Sequence, residues 1–189
     1  MKLVFGLGNP GHEYENTRHN LGWLAVSRLA QKHTWSFRKD GSFKANLADG
    51  RIGDEKVLLI QPLTFMNLSG ECVQALVQFY KTPLEDVLVI QDELDLPFGQ
   101  LAFKVNGGDA GHNGIASIQN SLGSRSVQRL RLGVGRPTTQ QPAEDYVLQP
   151  FPKEDADRLQ PFLDRAVLAS EEWITHGLAK AMNVWNGVE

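Results

Sequence analysis

Residues 1–23 read MKLVFGLGNPGHEYENTRHNLGW, and the way this stretch divides decides the fold. The apolar run Leu3-Val4-Phe5 predicts a buried strand over residues 2–5. Gly6-Leu7-Gly8-Asn9-Pro10-Gly11 then spells G-x-G-x-x-G, the glycine spacing of a dinucleotide-binding turn. That turn requires a helix opening at its third glycine and, about 20 residues on, an acid for the ribose hydroxyl. Here Gly11 is followed by HEYENTR, a poor helix opening, and no acid lies between Glu15 and Asp40. Pro10 also removes an N–H from a loop that would have to donate N–H groups to pyrophosphate. A nucleotide-dependent oxidoreductase is therefore the weaker alternative. The glycines shape a tight turn that places Asn9 at the carboxyl end of the strand, where open α/β sheets bind ligands. Thr17-Arg18-His19-Asn20 then supplies a histidine with the chemistry of a general base.

Outward from this stretch, residues 21–33 carry Trp23, Leu24, Val26, Leu29 and Ala30 at helical spacing. Residues 43–47 alternate as a strand, and 56–61 (KVLLIQ) form another, closed by Pro62. A helix follows over 69–80, with Ser69 as its N-cap. The run DVLVI, residues 86–90, is a central strand covered on both faces. Further strands are expected at 100–105 and 129–134, a helix at 112–122, and one or two amphipathic helices over 153–183. Strands alternating with helices predict an α/β fold. The expected architecture is a twisted mixed β-sheet with central parallel strands surrounded by helices, in one domain over residues 1–189.

The composition fits such a domain: 189 residues, 41% hydrophobic, 22% charged, net charge −3. No apolar run reaches the roughly 20 residues of a helical membrane span, and no signal-peptide pattern opens the chain. A lone cysteine, Cys72, forms no intrachain disulfide and suits a reducing cytoplasm. Charge is uneven. Residues 100–140 hold Lys104, Arg125, Arg129, Arg131 and Arg136 against Asp109 alone, whereas acids outnumber bases after residue 150. An anion-facing centre is one reading of this stretch, and a solvated face the other.

Polar clusters follow the predicted strands: Asn9; TFMNLSG (64–70); QDELDLP (91–97); GGDAGHNG (107–114). Parallel strands would bring them to one rim holding Asn9, Asn67, Asn113, His19, His112 and Asp92. Cys72 falls on an apolar helix face, no G-x-S-x-G elbow is present, and no H-x-x-x-H pair offers a zinc site. A water mechanism remains: a histidine held by a carboxylate activates water while amides hold the carbonyl. His19 is the best base, and Asp92 the best orienting acid.

These residues sit in five ordered blocks: GLGNPGHEYENTRHNLGW (6–23), PLTFMNLSG (62–70), QDELDLPFG (91–99), GGDAGHNG (107–114) and RLRLGVGRP (129–137). In them the chain resembles the bacterial-type peptidyl-tRNA hydrolases. The resemblance implies hydrolysis of the ester between a peptide and the terminal ribose of tRNA, which recycles tRNA from prematurely released peptidyl-tRNA. It implies His19 as base, Asp92 as its partner, and Asn9 as an aid to oxyanion and substrate positioning. Asn67, Asn113, His112, Met66, Phe65 and Tyr14 would bind substrate, and Lys104 and Arg131 would clamp the tRNA 5′ phosphate. A monomer without metal or cofactor is implied, with the groove bordered near residues 106–120 and 137–150. Asp109 and Ala116 depart from the family pattern, each removing positive charge beside the groove. A non-enzymatic RNA-binding relative of the same fold is the remaining alternative.

Overall fold

The computed structural model describes residues 1–187. Its frame is a seven-stranded sheet in the order β2-β3-β4-β1-β5-β7-β6. The strands are β1 (Lys2–Gly6), β2 (Arg38–Asp40), β3 (Ala45–Ile52), β4 (Glu55–Pro62), β5 (Val87–Glu93), β6 (Leu101–Lys104) and β7 (Gln128–Gly133). β1 pairs in parallel with β4 and β5, and β5 in parallel with β7. The flanking pairs β2–β3, β3–β4 and β6–β7 are antiparallel. The mixed sheet with central parallel strands is as expected.

Alternation along the central strands feeds two cores, because successive side chains leave a strand on opposite faces. Val4, Leu59, Leu88 and Ile90 face α1 (Leu21–Lys32) and α5 (Ala156–Trp185), meeting Val26, Leu29 and Trp173. Leu3, Phe5, Ile60 and Val89 face α2 (Ser69–Tyr80) and α3 (Asn113–Leu122), meeting Val73, Leu76 and Ile118. All seven residues of β5 are buried, as its continuous apolar run requires.

Several boundaries differ from expectation, each for a local reason. The strand expected at 43–47 runs from Ala45 to Ile52, held by antiparallel pairing to the whole of β4. β2 is three exposed or half-buried residues, RKD, without a periodic signal. Ser69 is the first residue of α2 rather than its cap, and its hydroxyl donates back to the Met66 carbonyl at 2.8 Å. The one or two helices expected over 153–183 begin after a 3-10 turn, Lys153–Asp155, as α5, whose helical run is interrupted at Gly177 (φ 79°, ψ 176°). A five-residue helix, α4 (Ala143–Val147), is too short to show periodicity.

The largest correction concerns direction. The strand at 100–105 is β6, and it is antiparallel, so its carboxyl end at Lys104 lies beside Arg129 near the start of β7. The GGDAGHNG loop therefore leaves from the opposite rim and must travel back along the sheet to reach the site.

Candidate active site

The site stands at the carboxyl ends of β1, β4 and β5. Its base is the close crossing of α1 over β1: a Cβ on Gly6 would strike the Gly22 carbonyl, and one on Gly22 would strike the Ile90 carbonyl. Glycine at both positions lets the helix backbone lie directly on the strands. Gly11 takes φ 124°, a region that favours glycine, and a short 3-10 turn, not a helix, follows it.

Asn9 is locked by its neighbours. Its backbone N–H donates to Asn20 Oδ1 (2.8 Å), and Asn20 Nδ2 donates to the Asn9 carbonyl (3.0 Å). The Asn9 side-chain oxygen accepts the Met66 backbone N–H at 2.7 Å, tying the β1 loop to the β4 loop. Since Oδ1 is occupied, the Asn9 Nδ2 amide is the donor left for the groove.

His19 lies on a 3-10 turn, Arg18–Asn20, directly before α1. Its Nδ1 is 3.0 and 2.9 Å from the two Asp92 oxygens, and the residue is only 9% exposed. An ionised carboxylate can only accept, so Nδ1 carries the proton and Nε2 keeps its lone pair. The sequence puts Asp92 just beyond the β5 run, but it belongs to the strand itself, 3% exposed. A buried carboxylate needs such partners, because removing one side of a buried ion pair costs about 3–5 kcal/mol.

The second partner is His112, whose Nε2 lies 2.9 Å from Asp92 Oδ1. His112 is the N-cap of α3, and its Nδ1 accepts the backbone N–H groups of Gly114 (3.1 Å) and Ile115 (3.4 Å). Nδ1 therefore carries no proton and Nε2 must be the donor, so the helix backbone sets the tautomer. His19, Asp92 and His112 are close enough to be considered as metal ligands. They fit a metal poorly: ligation through Nε2 would put the His112 proton on Nδ1, against two N–H donors.

Burial alone would lower the pKa of His19, but the charge of Asp92 and the hydrogen bond to it outweigh burial and raise it above the ordinary 6.5. Burial alone would raise the Asp92 pKa; the charges and hydrogen bonds of the two histidines win and hold its carboxyl far below the usual range. Cys72 has no such partner, and burial pushes its thiol up to about 12, consistent with its place in the apolar core.

A cavity of about 410 Å³ opens over this pair. Asn9, His19, Asp92, Phe65, Met66, Asn67, His112 and Asn113 all line it. The side chains of Asn67 and Asn113 make no hydrogen bond among the described residues and are exposed toward solvent. Tyr14 is not in the lining, since its 3-10 turn sits beyond the Asn9 loop. The far wall has no residue-by-residue signal in the sequence: Leu94 comes from the loop after β5, and Ala143, Glu144, Val147 and Leu148 from α4 and its end. Those residues carry no motif; only the family border at 137–150 points to them.

Lys104 and Arg131 also lie outside the cavity. Pairing of Lys104 with Arg129 and of Ala102 with Arg131 puts Lys104, Arg129 and Arg131 on one face of the β6–β7 ribbon. The cations of this stretch are not equivalent. Arg129 is 2% exposed and donates to the carbonyls of Asn106 and Gly108, so it holds the returning loop. Burial, then repulsion from Arg131, lowers the pKa of Arg129. Arg136 pairs with Asp95 at 2.6 Å. Arg131 reaches Glu93 at only 3.5 Å, and Lys104 has no hydrogen bond or ion pair among the described residues. Asp109 acts locally. Its side chain accepts the Gly111 N–H (2.7 Å) and its carbonyl the His112 N–H (3.0 Å), forming the turn that delivers His112.

The profile of a family described as peptidyl-tRNA hydrolase matches residues 3–189. A peptidyl-tRNA hydrolase of Geobacillus thermodenitrificans is 44% identical over 186 residues, covering 98% of this chain and all of the relative. One from Exiguobacterium sibiricum is 45% identical with the same coverage. The crystal structure of peptidyl-tRNA hydrolase from Acinetobacter baumannii superposes with a TM-score of 0.93 at 33% identity, covering 100% of this chain and 96% of that one. An Arabidopsis thaliana 5′-methylthioadenosine nucleosidase shares the fold alone, at TM-score 0.52 and 10% identity.

Proposed function

This chain belongs to the peptidyl-tRNA hydrolase family, and from that premise we propose how its groove cleaves the ester between a peptide and the terminal ribose of tRNA. His19 Nε2 takes a proton from water as the water oxygen attacks the ester carbonyl carbon. The tetrahedral intermediate collapses by expelling the ribose oxygen, which takes the proton back from the imidazolium. The products are tRNA with its hydroxyl restored and a peptide whose new carboxylic acid loses its remaining proton to solvent. Asp92 holds Nδ1–H and stabilises the imidazolium between the two proton transfers. Asn9 Nδ2 donates to the carbonyl oxygen as it becomes an oxyanion.

Asn67 and Asn113 bind the peptide backbone, and Phe65, Met66 and His112 line the groove for its side chains. Lys104 and Arg131 receive the 5′ phosphate, since two cations on one ribbon face position an RNA end without reading its sequence. The observation that carries this reading is the His19–Asp92 contact at 2.9 Å, which leaves Nε2 unprotonated at the cavity. The protein would act as a monomer in the cytoplasm. No helix among the described residues is long and apolar enough to cross a membrane.

The test is incubation with N-acetylaminoacyl-tRNA, which should yield free tRNA and the N-acetylamino acid. Intact ester after exhaustive incubation refutes the hydrolase, as a non-catalytic RNA binder would leave it. Lys104→Ala and Arg131→Ala should each lower kcat/KM on such substrates about tenfold, the loss of one charge-assisted contact. Both should spare an N-acetylaminoacyl-adenosine that lacks the acceptor stem. Equal losses on the two substrates would remove the clamp.

A further inference from the structure

Arg18, the residue before His19, is 8% exposed and pairs with no carboxylate among the described residues. Buried arginines are ordinarily paired with acids. Here the guanidinium Nη1 donates to three backbone carbonyls: Tyr146 (3.3 Å), Gln149 (3.4 Å) and Pro150 (3.2 Å). Its carbon lies 4.1 Å from the centre of the Tyr146 ring and 5.8 Å from that of Phe151. The backbones are joined as well. Arg18 N–H donates to the Gln149 carbonyl (3.1 Å), Phe151 N–H to the Asn16 carbonyl (3.2 Å), and Thr17 bridges Pro150. The Tyr146 hydroxyl donates to the Val134 carbonyl (2.9 Å), anchoring the far side beyond β7.

The segment held in this way supplies Ala143, Glu144, Val147 and Leu148 to the lining of the cavity. α4 is only five residues long and buries only Val147. So short a helix has little stability of its own, and its position depends on what grips it. The Arg18 side chain adds to the backbone links and the Tyr146–Val134 bond, and it grips from the turn that carries His19.

We propose that Arg18 is a positioning residue that pins the 143–151 wall to the His19 turn, and that the pinned wall holds the peptide portion of the substrate. The inference deepens the hydrolase reading and rests on it. His19 keeps its own support, because Asp92 holds its ring and Asn9 holds the next residue, Asn20, neither of them through the wall. A loosened wall should therefore weaken binding of long peptides and leave the chemical step alone. Binding lost equally in ground and transition states appears as a raised KM with unchanged kcat.

The experiment compares Arg18→Met, which keeps the apolar stem, with Tyr146→Leu, which removes both the ring it stacks on and the hydroxyl bound to Val134. Each is assayed on N-acetylaminoacyl-tRNA and on a pentapeptidyl-tRNA. Each variant should raise KM for the pentapeptidyl substrate about tenfold with kcat within about twofold, and leave the minimal substrate within about twofold. The double variant should lose less than the two single losses combined, because the stacked ring is common to both, while the Arg18–carbonyl and Tyr146–Val134 bonds are separate. Equal losses on both substrates, a loss in kcat, or no change on the longer substrate would overturn the proposal. Should Arg18→Met fail to fold, Arg18→Lys, which keeps the stem and charge but not the planar fork over the ring, decides by the same KM-against-kcat split. A wild-type protein inert on both substrates would instead refute the hydrolase reading.

Discussion

His19→Ala should lower kcat on N-acetylaminoacyl-tRNA by at least ~10²-fold, the scale of a positioned general base, with tRNA affinity within about twofold of wild type. The chemical loss follows from the geometry. His19 places an unprotonated nitrogen at the cavity while its other nitrogen is held by both Asp92 oxygens at 3.0 and 2.9 Å. His112 cannot take its place, since its Nε2 donates to Asp92 and its Nδ1 caps α3. The affinity should survive because Lys104 and Arg131, the proposed phosphate contacts, lie outside the cavity on the β6–β7 ribbon. Single-turnover hydrolysis and filter binding on the same preparation separate the two effects. Wild-type turnover in the variant would remove His19 from the base role.

Asp92→Asn should cost more, about 10³–10⁴-fold in kcat, the range for a base trapped in the wrong tautomer. The α3 backbone fixes His112 as a donor through Nε2, so the single oxygen of an asparagine must turn toward His112. Its NH₂ group then faces His19 Nδ1. That nitrogen must become an acceptor, which places the ring proton on Nε2, where water should be activated. Replacing a carboxylate oxygen by an amide nitrogen thus removes the base without removing the histidine. It also withdraws the charge that raises the His19 pKa, so the imidazole should titrate lower in the variant. An Asp92→Asn protein with more than a tenth of wild-type kcat would contradict this account.

The titration directions set the pH range. The His19 pKa is raised, so its ion pair with Asp92 contributes stability fully below pH 6.5, and that contribution is lost as pH rises through the raised value. Asp92 is held low, so the stability it lends is present above the ordinary carboxylate range. It is lost only as pH falls from about 4 through its depressed value. Asp92 is therefore ionised across the working range, and under the proposed mechanism the rate should rise where the imidazolium contribution fades.

Much of this site was legible in the sequence because its residues are tied to strands with strong signals. Leu3-Val4-Phe5, KVLLIQ and VLVI are uninterrupted or nearly uninterrupted apolar runs, and each delivers its polar cluster to the rim directly. The G-x-G-x-x-G spacing also found its explanation, though part of it is packing: Gly6 admits the backbone of α1, while Gly11 alone in the motif takes a positive φ. What escaped lacks local pattern. β6 gives no sign of its direction from its own residues, and the route of the GGDAGHNG loop depends on that direction. α4 is shorter than two helical turns, and its lining residues, such as Ala143, Val147 and Leu148, are ordinary apolar side chains. Arg18 reads in sequence as a cation beside a histidine; its role depends on Tyr146, 128 residues away. Tyr14 belongs to a groove-forming block by its motif, yet the 3-10 turn after Gly11 keeps it out of the lining.

The most direct test of the His19–Asp92 account is the single-turnover rate on N-acetylaminoacyl-tRNA as a function of pH, measured beside the NMR titration of the His19 ring. The rate should rise with pH through one midpoint above 6.5, that midpoint should coincide with the His19 titration, and Nδ1 should hold the proton in the neutral ring. A rate that ignores the His19 titration, or a neutral ring protonated on Nε2, would contradict it.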